Sequence, residues 1–492
     1  YDIRRLLESV TDERGKVTNY EFDPQRRLTK ITDPLGHIKQ FGYDMMSNMT
    51  SYTDALGNVT LYEMDDFDRL KKITYPAATS GGTAFLEQYL YDKLGRITKY
   101  TDTAGRETIY AYNDAARTNT VMNAEAEVTT TKYNQRFQTT EVKDAINQVY
   151  TFGYDPLGRL LSQTRAGGTV SFQYDEVGNR KKRIDYAGRV TNYTYDNLNR
   201  LTKIEYGDPV AAGAPPNAQA TYGYDDISRL TSATNEAGTV SFAYDNRGRL
   251  KTETDVFGHL IEYGYDAASN RTQLKLDGSV HTAYVYDDAN RLTTLTDEMG
   301  QNFTFGYDIA DRLTSRTMPN GVTSTFEYDG MSRLKRLKHQ SSTATLFDNQ
   351  YAYNSANQIS QITDMANTRV FGYDLVDRLT SVHTNGTQTE SYTFDDVGNR
   401  TTSHLSATYG YQSGKFNQLA STVTATMQYD ANGNIIRKSE GSQVWRYVWD
   451  NENRLTEAAT RKQKVRYKYD ALGRRVERNF GFKERTKFTH DG

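Results

Sequence analysis

No cysteine occurs in the 492 residues, which excludes disulfides, thiol nucleophiles and Cys-based zinc sites and leaves the redox compartment open. No run of 18 apolar residues occurs either, so no membrane-spanning helix is expected. Neither sign of charge dominates: 60 Lys plus Arg face 62 Asp plus Glu, which removes the electrostatic case for nucleic acid or an anionic membrane as a partner. The chain opens on YDIRRLLESV rather than on a basic-then-apolar leader, so no targeting signal is legible. Hydrophobic residues make up only 36% of the chain and the mean hydropathy is −0.78. Those values alone would suggest disorder. The 38 Tyr and 19 Phe oppose that reading, because a chain that avoids burial does not carry so many rings.

The rings recur at a fixed interval. Taking the aromatic before Asp, or its substitute, as a marker gives 23 markers from Tyr1 through Tyr154, Tyr244 and Phe394 to Tyr469, mostly 20 or 21 residues apart. The whole chain is one array. A typical unit, AGRVTNYTYDNLNRLTKIEY (Ala187 to Tyr206), reads as two strands and two turns. Its paired rings, Tyr193 and Tyr195, lie two apart, which is strand spacing and puts both on one face of a sheet.

Four residues after the marker stands Gly (Gly158, Gly248), Asn (Asn199, Asn290) or Asp (Asp68, Asp311), the three types that tolerate a left-handed backbone. The marker Asp can accept a hydrogen bond from the backbone two residues on, and Pro156 presets φ in its own unit. A type I turn with a glycine-type bulge is expected. Ser at the same slot (Ser47, Ser228, Ser269, Ser332) fits less well, so the geometry is expected to vary there. Arg follows at the fifth position in 14 of the 23 units, where it can lie over a neighbouring ring or pair with the Asp of an adjacent turn. The residues singled out are therefore Tyr154, Asp155, Gly158 and Arg159, and Tyr244, Asp245, Gly248 and Arg249, as structural turns.

The scarcity of Leu, Ile and Val beside so much Tyr and Thr predicts a single-layered sheet, since rings with a polar edge tolerate two partly wet faces. The expected fold is all-β: tandem antiparallel hairpins forming a continuous spiralling one-layer ribbon, a hollow shell or part of one. Some 46 strands at about 4.8 Å give a strip on the order of 220 Å long.

The spaced YDxxGRL units, with G-x-V-T-x-Y-x-Y-D between them, resemble the YD repeats of the Rhs (rearrangement hotspot) family over essentially the whole chain. The resemblance implies a β-ribbon that spirals into a shell. In bacterial Rhs proteins and insecticidal toxin complexes such a shell encloses a C-terminal toxin, and in teneurins the fold serves adhesion. The tail, from YDANGNIIRKSEGSQVWRYVWDNENRLTEA onward, resembles the entry to the Rhs-associated core, which in the family continues to an Asp-Pro-x-Gly self-cleavage motif. Residues 1–410 are thus assigned to the regular array and 411–492 to core-like repeats. Asp155 to Gly158 and Asp33 to Gly36 match the short form of that motif, but both fall in phase with turns and are expected to be turns.

Three inserts, YPAATSGGTAFLEQ, GDPVAAGAPPNAQA and KHQSSTATLFDNQ, enter at one phase and are expected to be surface loops on one edge of the ribbon. The seven His (His37, His259, His281, His339, His383, His404, His490) lack the close His and carboxylate spacing of a zinc protease, and no phosphate loop or nucleophile elbow occurs. No catalytic residue, metal or cofactor is expected. Trp445 and Trp449 share a strand face, with packing favoured over stacking on a ligand. The function expected is that of a non-enzymatic, secreted or cell-surface bacterial shell segment, with its own C-terminal toxin as cargo and secretion or delivery machinery as a possible partner. The alternative is an adhesion or carbohydrate-binding surface protein on the same ribbon.

Overall fold

The computed structural model describes residues 5–79, 81–207, 218–412, 414–415, 417–481 and 485–490. Among them there is no helix, and 46 strands follow one another. Each strand pairs antiparallel with the next in sequence, so the topology is an unbroken meander as far as Arg400–Ser403. The ladder contains 37 strands up to that point and nine after it. It is interrupted between Arg400–Ser403 and Tyr409–Tyr411, where Ser403 turns to bridge Ser406 and its hydroxyl meets that of Tyr409 at 2.9 Å.

A one-layer sheet cannot build an oily core, and this one does not. The largest side chains buried to below 2% exposure are Glu253, Val240, Asp470 and Ser324. Two are acids, Asp470 in a YD turn and Glu253 near the end of strand Leu250–Thr254. Val, Thr and Tyr alternate along strands such as Val190–Tyr195, with pleated faces left half-buried.

The strands run across the ribbon, so its two long edges are made of turns. One edge carries the turns that begin at the marker Asp, hereafter the YD edge. The other carries the turns of the second kind, such as Asp33 to His37 and Asp185 to Arg189. Contacts between residues 234 to 276 apart join these edges. Arg14 donates to the Asp287 carbonyl at 3.0 Å and to Asn290 Oδ1 at 2.6 Å. Arg106 reaches Asp377 at 2.7 Å, Arg378 reaches Glu127 at 2.9 Å, and Arg189 reaches the Asp450 carbonyl at 2.7 Å. In each case the partner lower in sequence sits on the second edge and the higher one on the YD edge. The ribbon therefore winds round and seats its own YD edge on the second edge of the turn before.

The contacts also set the circumference. Of the 46 strands, 25 lie between Arg14 and Asp287 and 21 between Glu253 and Arg474. At about 4.8 Å per strand, one circuit is roughly 100–120 Å, which a circle closes at a diameter of about 32–38 Å.

The inserts divide. Of the first insert, Pro76 to Thr79 and Gly81 to Ala84 lie between strands on the second edge, and the Ala78 carbonyl accepts the Gly330 amide at 2.9 Å. The third insert is no loop: it continues the hairpin as Leu334–Gln340 and Thr345–Tyr353, which pair antiparallel and leave only 341–344 between them. Residues 208–217 of the second insert lie outside the described residues.

Candidate functional site

The turn of Asp155 shows how one unit is built. Its Oδ1 accepts the amides of Leu157 and Arg159, both at 2.9 Å, and its Oδ2 accepts Arg159 Nε at 2.6 Å. The Gly158 amide donates to the Asp155 carbonyl at 3.0 Å, and Gly158 holds φ 87°. The register slips by one residue between Gly153 and Tyr154, the bulge that brings the strand into the turn. Asp245 repeats the arrangement with Arg247, Gly248 (φ 82°) and Arg249. Burial raises the carboxyl pKa of both acids, but hydrogen bonds from the arginine amide and guanidinium outweigh it and hold Asp155 and Asp245 below the usual range.

Each arginine then reaches forward. Arg159 donates to the Asp175 carbonyl at 3.1 Å and lies 4.9 Å over the Tyr174 ring, and Arg249 does the same to Asp266 and Tyr265 at 3.1 and 4.5 Å. The acid it neutralises is usually its own turn's and the ring is its neighbour's, so every unit is tied to the next. The marker tyrosine reaches back: Tyr154 Oη donates to the Thr139 carbonyl and Tyr244 Oη to that of Leu230, each at 2.8 Å. Trp449 takes the tyrosine's part through Nε1 to the Ile435 carbonyl at 2.8 Å, so its polar edge is committed to the column. Trp445 lies near-parallel to Tyr447, with ring centroids 6.4 Å apart.

The serine slots do not vary as expected. Ser47, Ser228, Ser269 and Ser332 have φ of 60–73°, and Arg26 (67°) and Phe137 (59°) occupy the same region. The carboxylate clamp and the strand register dictate the conformation, and the residue bears the strain.

Two features were missed from sequence. The second edge uses the same clamp, with Asp33 and His37, Asp102 and Arg106, or Asp185 and Arg189 in the Asp and Arg places. The residue before the marker also faces the residue nine positions on. That pair reads Gly and Ser (Gly42 and Ser51, Gly153 and Ser162) or Glu and Lys (Glu21 and Lys30, Glu63 and Lys72), and the nine-residue offset could have revealed it. Both DPLG stretches are turns: Asp33 to Gly36 on the second edge and Asp155 to Gly158 on the YD edge.

The seam holds the molecule's most buried charges. Asp185 and Arg189, 3% and 5% exposed, pair at 2.7 Å, and Asn432 of the next circuit donates to the same carboxylate at 2.8 Å. Arg474 bridges Asp470 and Glu253 at 2.8 Å each. Asp33, His37 and Asp311 also gather across the seam. Asp311 is already paired with Arg291 at 3.0 Å and lies 3.7 Å from Lys39, while Asp33 Oδ2 is hydrogen-bonded to His37 Nδ1 at 2.9 Å. A cleft of about 820 Å³ opens on the seam between Tyr206, Asn235, Trp449, Arg454 and Tyr467.

A ribbon of hairpins clamped at both edges and seated on itself defines a shell-forming YD-repeat protein. The Teneurin YD-shell model matches residues 302–490, and the RHS Repeat model matches 5–38, 138–170, 174–211, 224–260 and 244–279. The chain belongs to the Rhs/YD-repeat family. Curated relatives include the Probable deoxyribonuclease RhsB of Dickeya dadantii, 26% identical over 136 residues, and the tRNA nuclease WapA of Bacillus subtilis, 36% identical over 119 residues. These matches cover 27% and 22% of this chain but only 9% and 5% of those proteins. In the crystal structure of TcdB2-TccC3-Cdc42, a chain superposes with a TM-score of 0.62 at 13% identity, covering 94% of this chain and 28% of its own length. That likeness carries the fold.

Proposed function

We propose that this chain is a wall segment of a secreted toxin container, enclosing a C-terminal toxin of the same polypeptide and isolating it during export. The observation that carries the reading is the seam. A ribbon that only had to display its faces would not need buried Arg, Asp and Glu locking one circuit onto the next, whereas a wall without gaps does. A bore of roughly 20–25 Å remains once side chains of some 5–6 Å line each side of the circle, enough for a small domain or a partly unfolded chain. The curated relatives are named as nucleases, and each extends far beyond the matched stretch, which supports a division of labour between repeat wall and toxin.

Protease challenge of the protein expressed with its natural flanking sequence tests the proposal. The toxin segment should survive digestion in the intact protein and become cleavable when the seam is opened by Arg474→Ala. Equal digestion in both would refute enclosure. The adhesion reading has one observation of its own, the cleft beside Tyr206, Trp449 and Tyr467. Selective sugar binding on a glycan array, lost in Tyr206→Ala, would favour it.

A further inference from the structure

The two faces of the ribbon treat charge differently. On the face away from the marker rings, lysines are met by glutamates: Lys30 reaches Glu21 at 2.8 Å, and Lys72 reaches Glu63 and Lys203 reaches Glu205, each at 2.6 Å. The ring face is the crowded one. Val240, Ile261, Leu274 and Val382 are buried on it, whereas Val17, Asn19 and Glu21 on the other face are exposed. Side chains alternate between the faces, and a one-layer sheet bent round a bore crowds those on its concave side, so the ring face lines the bore.

Three cations of that face are unmatched. The sixth residue after the marker is usually Leu, as in Leu160, Leu201 and Leu250, but Arg180, Arg400 and Arg475 are among the exceptions. Each lies between two rings, its own unit's and the next one's. Arg180 is 4.9 Å from Phe172 and 6.0 Å from Tyr193, Arg400 is 4.8 Å from Tyr392 and 5.9 Å from Tyr409, and Arg475 is 5.7 Å from Tyr467 and 5.0 Å from Phe488. All three are exposed, and none pairs with a carboxylate of the described residues. The carboxylates of the same face are engaged elsewhere: Glu253 with Arg474 at 2.8 Å, Glu440 with Lys438 at 2.7 Å, Glu87 with the Tyr89 hydroxyl at 3.0 Å and Glu390 with the Tyr392 hydroxyl. Ring contacts account for part of this. Where Asn179 or Asn399 replaces the clamp arginine, an arginine one place on restores a tie between units worth about 0.5–1 kcal/mol. Arg475, however, follows Arg474, whose clamp on Asp470 is intact, so no lost tie calls for it.

The three also share a sector of the wall. The strand Arg180–Ile184 leads into the turn on which Asn432 sits, and Asn432 lies between Arg400 and Arg475 along the upper circuit. Arg475–Asn479 is the eighth strand after Arg400–Ser403, which makes the sector about 40 Å of arc wide. We propose that it holds an acidic stretch of polypeptide, extended over about 12 residues, whose carboxylates meet the guanidinium edges. Stacking covers the guanidinium planes and leaves their N–H edges pre-oriented for carboxylates. The ring faces beside the charge are occupied by the arginines, so a nucleobase finds no stacking platform there, which favours an acidic peptide over a nucleic acid. That the bound stretch belongs to an enclosed chain rests on the wall reading above; the binding itself does not.

Fluorescence anisotropy of a labelled poly-L-glutamate of about 20 residues, titrated with the 492-residue chain at low salt, tests it. Saturable binding that weakens as salt is raised is expected, with poly-L-lysine and oligothymidylate of the same length bound at least about tenfold more weakly. Arg180→Gln/Arg400→Gln/Arg475→Gln should raise the dissociation constant at least about tenfold, while Lys30→Gln/Lys72→Gln/Lys203→Gln on the other face should change it less than about twofold. Should the glutamines disturb the fold, Arg180→Lys/Arg400→Lys/Arg475→Lys, which keeps the charge and loses the planar N–H edge, should still weaken binding about threefold. No binding by the wild type, tighter binding of oligothymidylate, or arginine sets that bind as the wild type does would overturn the inference. Poly-L-glutamate bound by a protein whose toxin segment is not protected from protease would refute enclosure and leave the acidic-peptide site standing.

Discussion

Arg474→Ala should open the seam locally. Arg474 touches two carboxylates of 0% exposure, Asp470 on its own turn and Glu253 on the circuit below. Asp470 would keep the amides of Leu472 and Arg474, at 3.0 and 2.9 Å. Glu253 would keep nothing, since neither of its oxygens accepts a hydrogen bond. Breaking a buried pair costs about 3–5 kcal/mol because the charge left behind is unpaired. The expected penalty is therefore about 3–5 kcal/mol. Repeat arrays unfold piecewise, so a melting curve would blur a local loss. Native-state hydrogen exchange over Leu250–Thr254 and Arg475–Asn479 resolves it: amides there should exchange on the order of several hundredfold faster. Glu253→Gln in the same background should recover most of the loss. Equal protection in wild type and variant, or no recovery in the Glu253→Gln background, would refute the claim that an unpaired buried carboxylate is the cause.

Acid should dissolve the array through its turns. The Arg69 side chain hydrogen bond holds Asp65 at about 2, and arginine amides and guanidiniums outweigh burial to lower Asp155, Asp245 and Asp308 below the ordinary 3.8. A depressed carboxyl contributes its full stability above the unfolded value and loses it as pH falls through the folded one. The melting midpoint should therefore stay level from pH 7 to about 5 and drop between about 4 and 2; a decline centred near pH 6 would point to histidine instead. Phe137→Gly should stabilise the protein by about 1 kcal/mol, since Phe137 sits at φ 59° with its side chain 86% exposed, and a lower urea midpoint would count against this. Gly330→Ala should destabilise by about 1–3 kcal/mol, because its Cβ would lie 2.3 Å from the Ala77 carbonyl oxygen, part of a backbone that cannot swing aside. Gly42→Ala should cost less in the same urea titration, its clash being with the rotatable Ser51 hydroxyl.

Within one unit the sequence was nearly transparent. Period-two rings gave strands, and the Gly, Asn and Asp slot gave a left-handed turn residue, because both properties are local and recur in unit after unit. What escaped was the pairing of equivalent units. Asp185 and Arg189 look like any other turn in the sequence, yet they are among the most buried charges in the protein, because a circuit some 250 residues later lies on them. No residue type announces such burial. The third insert misled for another reason: its length suggested a loop, but its two halves pair with each other and lengthen the hairpin. Serine was judged on its own preference, whereas the aspartate clamp had settled φ before serine was consulted.

The circumference is nonetheless written in the sequence, at a position that carries no chemistry. Through Ile227 the third turn residue is mostly large and apolar; from Ala268 it is mostly alanine or valine. Arg247 pairs with Glu13, and Arg14 Nε comes to 3.9 Å from the carboxylate of Asp266, so the ribbon returns over its own beginning at the adjoining turns of Arg247 and Ala268. The change of side-chain size therefore falls at the units where this circuit closes on the chain's own earlier turns. A repeat array with no curvature, or one with a different number of strands per circuit, would have no reason to change at that unit. Size at one turn position reports which copies are stacked and which are bare, and that makes the spiral, and not merely the strand, a property specified residue by residue.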